Sequence, residues 1–304
     1  MIRTILSSSV ILRRNACLPF KRIDANDTAK KLAEIFNGTQ ITDANGKPYK
    51  ELLNGELVES GLAATARYVY DTDKEYCITV GGRDHFTFCS TKRGDALNES
   101  YSIVKSLDEK VSSSVKYAFH QTFGYETSAL SDVGTGLRVK LKLFVPALYL
   151  SKTLGRYLRA LESDGVALQA TDTEDFTVYI TNKRTLGVTE SEICSAVQNA
   201  ANYIAAAEKQ AMDNIAATEP LAIKDKILRA YGVLTNCATI SESEFYGCIG
   251  YVRMGIYLGV LKCADSLLFE EYACRLGGAG DGGENGSDAN RAVSAAAVAN
   301  IVTR

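Results

Sequence analysis

A single residue, Pro220, separates two stretches of this chain whose apolar residues recur with different periods. Ahead of it, short alternating runs lie between glycine- and aspartate-rich turns, the pattern of hairpin strands. After it, the spacing is three and four residues throughout, which is the helical period. Proline lacks the backbone N–H and clashes with the preceding turn, so a helix running toward it stops there. The chain is therefore expected to be α+β. A mostly antiparallel sheet flanked by helices should occupy residues 1–217, and a small all-α domain residues 221–304.

Two hairpins anchor the first region. Glu75 to Val80 and His85 to Ser90 read as strands joined by Gly81-Gly-Arg-Asp84, and Val166 to Thr171 and Phe176 to Thr181 as a second pair. Leu137 to Val145 reads as another strand, ending before Pro146. Helices are expected over 29–37, over Thr153 to Ser163, and from Asn98 to Phe123, where Ile103, Leu107, Val111, Val115 and Phe119 recur every four residues. Thr189-Glu-Ser-Glu192 has the form of a capping box and opens a helix to about Ala217. Beyond Pro220 only helices are expected: 223–236, 242–260, 265–276 and Ser287 to Val302. The glycine-rich stretch 277–286 reads as a loop of high ordering entropy. It follows a helix rather than a strand and lacks the lysine of a nucleotide-binding loop.

Charge and composition narrow the function. With 34 basic and 36 acidic residues, the net charge of −2 gives no basic excess for nucleic acid. No apolar run is long enough to span a membrane. Eight cysteines are scattered without Cys-x-x-Cys spacing and only two histidines exist, so no metal site is expected and the thiols read as buried small hydrophobes. The first 23 residues hold no acid and carry five basic residues, a composition shared with transit peptides. Ile2 to Leu12 alternates, however, and reads as a strand followed by a basic turn; the protein is expected to be cytoplasmic.

The run Phe123 to Arg138 is the strongest candidate for chemistry. Gly134 and Gly136 bracket a turn at the mouth of the strand that Arg138 opens, where glycine lets a backbone approach an anion and a guanidinium can fork onto phosphate. This run resembles the G-Y-L-T-x-C-P-T-N-x-G-T-G-L-R segment of the ATP:guanidino phosphotransferases, the family of creatine, arginine and bacterial protein-arginine kinases. Leu6 to Asn15 resembles that family's L-S-S-R-V-R-L-A-R-N, Val80 to Thr87 its V-N-E-E-D-H-L-R, and Tyr179 to Glu190 its Y-x-I-S-N-x-x-x-L-G-x-[ST]-E. Asp225 to Leu234 and Arg253 to Gly259 resemble the helical tail of the protein-arginine kinases.

The resemblance implies phosphoryl transfer from ATP, with Mg²⁺, to a guanidinium. That reaction needs arginines on the phosphates and a carboxylate to orient and deprotonate the attacking nitrogen. Several of those parts are replaced. The two arginines of the first block fall at Ser9 and Ile11, the paired glutamates at Gly82 and Arg83, the final arginine of that block at Thr87, and the reactive cysteine at Ala129. The histidine of L-V-E-x-H-L falls at Gly61, and Gln169 to Glu174 lacks the arginine and glycines of the R-G-x-x-G-E loop. Arg138, Gly134, Gly136, Asp84, His85, Arg14 and Asn182 survive, of which Arg138, Gly134, Gly136 and His85 are the candidate cofactor-binding residues. Arg138 has a second reading, as the partner of an acid such as Asp132, and His85 beside Asp84 a second one, as a hydrogen-bonded structural histidine. Arg13 and Arg83 are candidates to replace lost charge. Ser287-Asp-Ala-Asn-Arg-Ala292 resembles the R-D-x-x-R-A phosphoarginine motif without its first arginine, leaving Asp288 and Arg291 as a reduced site or a helix-surface ion pair.

The expectation is a catalytically degenerate protein-arginine kinase homologue, a pseudokinase for which ATP and Mg²⁺ are doubtful cofactors and which acts by binding. The resemblance implies a homo-dimer or hetero-dimer through the C-terminal helices, whose apolar face is Ile249, Val252, Ile256 and Val260, and partners among stress-response regulators or proteases. The alternative is an active ATP-dependent kinase with a rewired site.

Overall fold

The computed structural model describes residues 4–18, 21–59, 65–162, 165–171, 175–275 and 288–304. Its centre is an eight-stranded sheet in the order β2-β3-β4-β5-β1-β8-β10-β9. These strands are β1 (Ile5–Arg14), β2 (Gln40–Asp43), β3 (Arg67–Asp71), β4 (Tyr76–Val80), β5 (Phe86–Arg93), β8 (Leu137–Phe144), β9 (Val166–Ala170) and β10 (Thr177–Asn182). Every neighbouring pair is antiparallel. Two-residue strands β6 (Phe119–His120) and β7 (Gly124–Tyr125) form a separate small hairpin.

Strand periodicity gives the sheet two unlike faces. Val10 and Leu12 of β1, Ile78 and Val80 of β4, Phe86 and Phe88 of β5 and Leu137, Val139, Leu141 and Leu143 of β8 are all buried in one core. Helices α1 (Ala25–Ile35), α3 (Leu97–Ser112), α5 (Leu154–Glu162) and α6 (Glu190–Thr218) cover that face. Among the described residues the opposite face is covered only at one end, where α2 (Lys47–Asn54) and the segment after it pack Leu52, Leu57 and Val58 on Ala66, Tyr68, Tyr70 and Cys77. Its middle stays open.

The remaining helices are α4 (Pro146–Leu150), α7 (Pro220–Asn236), α8 (Glu242–Tyr257), α9 (Ser266–Arg275) and α10 (Asp288–Asn300). They build a second core, which also takes in Phe144, Ala147, Phe176 and Met212 from the sheet region. Ile249 and Val252 are buried there and Ile256 and Val260 half-buried, so the apolar face of α8 packs within the chain. At its edge Arg253, 2% exposed, bonds Glu270 through Nε and Nη2 at 2.8 Å and reaches Asp175 at 3.4 Å. Among the described residues, no helix is long and apolar enough to cross a membrane.

Several elements differ from the sequence expectation. The helix expected to run to Phe123 ends at Ser112, because Ser112 and Ser113 turn their hydroxyls back onto the carbonyls of Glu109 and Lys110. Phe119 accordingly stands 58% exposed in β6. Strands β2 and β3 and helices α2 and α4 were not expected. Pro220 separates α6 from α7 as anticipated, but as the first residue of α7. The C-terminal region is not purely helical: β11 (Lys262–Cys263) pairs with β12 (Val302–Thr303). Only Cys77, Cys89 and Cys248 of the described thiols are fully buried, while Cys17, Cys194, Cys237 and Cys263 are half-buried. The 277–286 loop and Gly61 lie outside the described residues.

Glu208 ties the two cores together. Its carboxylate, 3% exposed on α6, accepts the N–H groups of Ala147 and Leu148 at 2.8 and 2.9 Å, in the first turn of α4. Burial pushes its pKa up from 4.5 to about 7, against the lowering effect of those two bonds. The folded state thus holds a proton that the unfolded chain has released, and this contribution to stability is lost as pH rises through about 7. Glu208→Gln should flatten the dependence of urea stability on pH between about 4.5 and 7. An unchanged profile would show that Glu208 is not the titrating group.

Candidate functional site

The open face of the sheet carries a cleft of about 610 Å³. Its floor follows from alternation and register. On β1, Ser9, Ile11 and Arg13 point outward, opposite the core residues Val10 and Leu12. Across the β1–β8 ladder Ile11 lies against Arg138 and Ser9 against Lys140; Thr181 of β10 follows beside Lys140 and Tyr179 beside Lys142. The wall is Glu56, Val58 and Glu59 on one side and Arg83, Ser131 and Asp132 on the other.

Glu56 is fixed over this floor in a strained, left-handed conformation at φ 56°. Its carbonyl accepts the Thr91 hydroxyl at 2.9 Å, and its carboxylate accepts the Tyr179 hydroxyl at 2.7 Å and lies 3.6 Å from the Lys142 ammonium. Glu59 pairs with Arg13 at 2.5 Å. Arg138 donates to the carbonyls of Asn182 and Ser131 and to the carboxylate of Asp132. Asp132 also lies 3.5 Å from Arg13 and from Arg83. Lys140 stands over the Tyr179 ring at 4.2 Å.

The residues singled out in the sequence divide between this cleft and its supports. Arg138, Arg13, Arg83, Ser9 and Ile11 line it. His85, 4% exposed, instead braces the backbone: Nδ1 accepts the Ala16 N–H at 3.1 Å, which leaves Nε2 to donate to the Lys21 carbonyl. Asp84 accepts from the Asn15 amide at 2.8 Å and the Ser128 N–H at 2.7 Å. Asn182 substitutes for ladder bonds where β10 ends, accepting from Val139 N–H and donating to the carbonyls of Leu137 and Arg184. Arg14 is buried on the other face, under the Tyr125 ring at 3.6 Å and bonded to Asp108 at 3.1 Å and the Thr135 carbonyl at 2.7 Å. Burial raises the Asp108 carboxyl even with that guanidinium beside it.

Packing within the chain accounts for the two turn glycines. Gly134, at φ 113°, lies against the backbone of Thr185 and Leu186, and Gly136, at φ 67°, against the Arg13 carbonyl. Gly82 and Ala129 belong to the connections at the cleft rim, where they present no carboxylate and no thiol. Arg291 donates Nε to the Ile240 carbonyl at 3.1 Å. Asp288 opens α10, and its side chain is not among those described.

Sequence reasoning passed over Lys140, Tyr179, Thr181, Glu56 and Glu59. Counting by twos from Arg138 reaches Lys140, so that signal was present. Glu59 is the glutamate of the L-V-E-x-H-L match that places Gly61, but that it and Glu56 reach the cleft depends on how the segment after α2 folds.

The ATP:guanido phosphotransferase C-terminal catalytic domain family matches residues 22–211. This chain belongs to that family. The protein-arginine kinase McsB C-terminal domain family matches residues 220–278. The chain is similar to the protein-arginine kinase of Caldanaerobacter subterraneus, with 27% identity over 282 residues, covering 85% of this chain and 84% of that protein. It is 29% identical over 227 residues to the protein-arginine kinase of Bacillus subtilis, covering 73% and 62%. In fold it resembles a taurocyamine kinase from Schistosoma mansoni, with a TM-score of 0.59 and 16% identity over 77% of this chain and 39% of that one. It also resembles a lombricine kinase, with a TM-score of 0.56 and 15% identity over 67% and 66%.

The family uses ATP, so the cleft can be tested for fit to a magnesium-bound triphosphate. Its described lining carries Arg13, Arg83, Arg138 and Lys140 as cations and three carboxylates. Glu56, Glu59 and Asp132 share the cleft with its cations, and Asp132 is bonded to the one phosphate-type arginine the motif retains. Bringing a polyanion against these carboxylates is repulsive at short range.

The Gly136→Ala variant tests the packing account of the turn. A methyl there would come within 2.5 Å of the Arg13 carbonyl at a left-handed φ of 67°. Strain and overpacking together should cost about 2–4 kcal/mol in urea unfolding. A loss under about 0.5 kcal/mol, the range of ordinary surface changes, would refute the close approach.

Proposed function

We propose that this family member acts by binding rather than by phosphoryl transfer. The observation that carries this reading is that, among the described residues, each carboxylate lining the cleft is engaged within the protein. Glu59 pairs with Arg13, Glu56 with Tyr179 and Lys142, and Asp132 with Arg138. A general base needs a carboxylate free to take a proton from the attacking nitrogen. At the two positions where the family motif supplies glutamates, this chain has Gly82 and Arg83. The loss of one electrostatic stabiliser at a transfer site costs about 10²–10³ in rate, and here the base and two phosphate arginines are replaced together. The finer assignments, a pseudokinase that works through partner proteins and assembles through its C-terminal helices, belong to the same proposal.

One observation favours the alternative, an active kinase with a rewired site. Arg13 and Arg83 line the cleft, and Lys140 lies directly across the ladder from Ser9, where the family has an arginine. Cation is thus present around the cleft, though at other positions. Incubating the full chain with Mg-ATP and an arginine-rich protein separates the two readings. Binding without transfer should leave phosphoarginine at the level of the protein-free control. Phosphoarginine above that level, lost in Arg138→Ala, would establish the kinase instead.

A further inference from the structure

Two thiols face each other across one rung of the sheet, beside the cleft. In the β4–β5 ladder Cys77 lies directly opposite Cys89. Alternation puts both on the side away from the core residues Ile78 and Phe88. The row continues to Tyr70 of β3 on one side and Ile11 of β1 on the other. At the hairpin end the Gly81 N–H donates to the His85 carbonyl at 2.9 Å, and hydrogen-bonded rungs recur at every second residue from there. Cys77 and Cys89 therefore share a hydrogen-bonded rung, where Cα atoms stand about 5.5 Å apart. Disulfides span Cα separations of roughly 4.4–6.8 Å, so this rung is within reach of a sulfur–sulfur bond.

The two thiols have unlike surroundings. Cys77 is enclosed in the small core under α2, with Leu52, Leu57, Val58 and Tyr68. Cys89 lies between that core and the cleft. Its thiol donates to the Glu56 carbonyl at 3.5 Å and has the hydroxyls of Thr91 and Ser9 beside it; Ser9 and Glu56 both line the cleft. Burial pushes both thiols up, Cys89 to about 12, and the nearness of Cys89 raises Cys77 further. Both are thus protonated while the cover is closed. That cover is only α2 and the residues after it, packed in a small cluster separate from the main core, and units of this kind open locally without global unfolding.

We propose that Cys77 and Cys89 are a redox-active dithiol that hydroperoxides oxidise to a cross-strand disulfide, with Cys89 as the attacking thiol and Cys77 as the resolving one. When the cover lifts, the Cys89 thiolate attacks the O–O bond and becomes a sulfenic acid. The other oxygen leaves as water or an alcohol, carrying the proton that the thiol released. The Cys77 sulfur then attacks the sulfenic sulfur, the S–O bond breaks, and its oxygen departs as water with the Cys77 proton. Two thiols give up two electrons and one hydroperoxide takes them. The pair stands apart from the chemistry of the cleft, so the site holds whether the cleft binds or transfers.

Full-length protein is treated with hydrogen peroxide under native conditions, remaining thiols are blocked with iodoacetamide, and tryptic peptides are read by mass spectrometry. Arg83 lies between the two cysteines, so peptides 75–83 and 84–92 carry one each and stay joined only through a disulfide. The joined pair should form with peroxide and separate with dithiothreitol. This measurement uses the wild type and needs no variant to fold. In Cys77→Ser, dimedone should label Cys89 as the stranded sulfenic acid; in Cys89→Ser, Cys77 should stay unlabelled at the same dose. Absence of the joined pair once the half-buried Cys17 and Cys194 are oxidised overturns the proposal. So does joining of either peptide to another cysteine to the same extent. Dimedone on Cys77 but not on Cys89 overturns the assignment of roles.

Discussion

Strand β1 has no free edge, and the rest of the structure is organised around that constraint. It pairs with β5 on one side and β8 on the other, and both ladders are antiparallel. Its register therefore decides what stands next to what across the centre of the sheet. A slip of one residue would send Val10 and Leu12 to the open face and bury Ile11 and Arg13 against the helices. The covered face, with its aliphatic and aromatic side chains from β1, β4, β5 and β8, excludes that alternative. The cleft is thus a by-product of the core: once Val10 and Leu12 are inside, Ser9, Ile11 and Arg13 must be outside, beside Lys140 and Arg138.

The electrostatics of the cleft follow from the same geometry. Several cations on one sheet face repel one another unless anions are supplied, and burial makes that repulsion stronger. The chain supplies Glu56 and Glu59 from the segment after α2 and Asp132 from the turn before β8, none of them on the strands that carry the arginines. On the covered face the same solution appears once more, with Arg14 held by Asp108, Glu190 and the rings of Tyr117 and Tyr125. Arg253 with Glu270 and Asp175 is a third instance, between the helical region and the sheet. Buried guanidinium groups recur here, and each has acids from other elements beside it.

Much of the architecture was legible from local chemistry. The β4–β5 and β9–β10 hairpins, the start of β8 at Leu137 and the capping box of Thr189 and Glu192 are set by residues within a few positions of one another. The failures were also physical. Val115 and Phe119 continue a four-residue spacing that the serines at 112 and 113 interrupt, and spacing alone does not weigh a competing hydroxyl. Strand β2 has four residues and lies at the sheet edge, too short and too exposed for its alternation to stand out. In the site, the motif comparison read each strand by itself and registered lost arginines at Ser9 and Ile11. Only the ladder shows that Lys140 and Arg138 face those positions from the neighbouring strand.

Helix α6 has a consequence of a mechanical kind. It is 29 residues long, about 44 Å at 1.5 Å per residue. Its first half packs Ile193, Val197, Ala201 and Ile204 on the sheet, while Met212 lies in the second core. Its capped end at Thr189 follows directly on Thr185 and Leu186, whose backbone Gly134 touches. Such a rod is a lever whose short arm rests on the glycine turn and whose long arm lies among the C-terminal helices. A tilt of about 3° would carry the far end roughly 2 Å over that length. The glycine turn and the helices some forty ångströms away thus share a single rigid part.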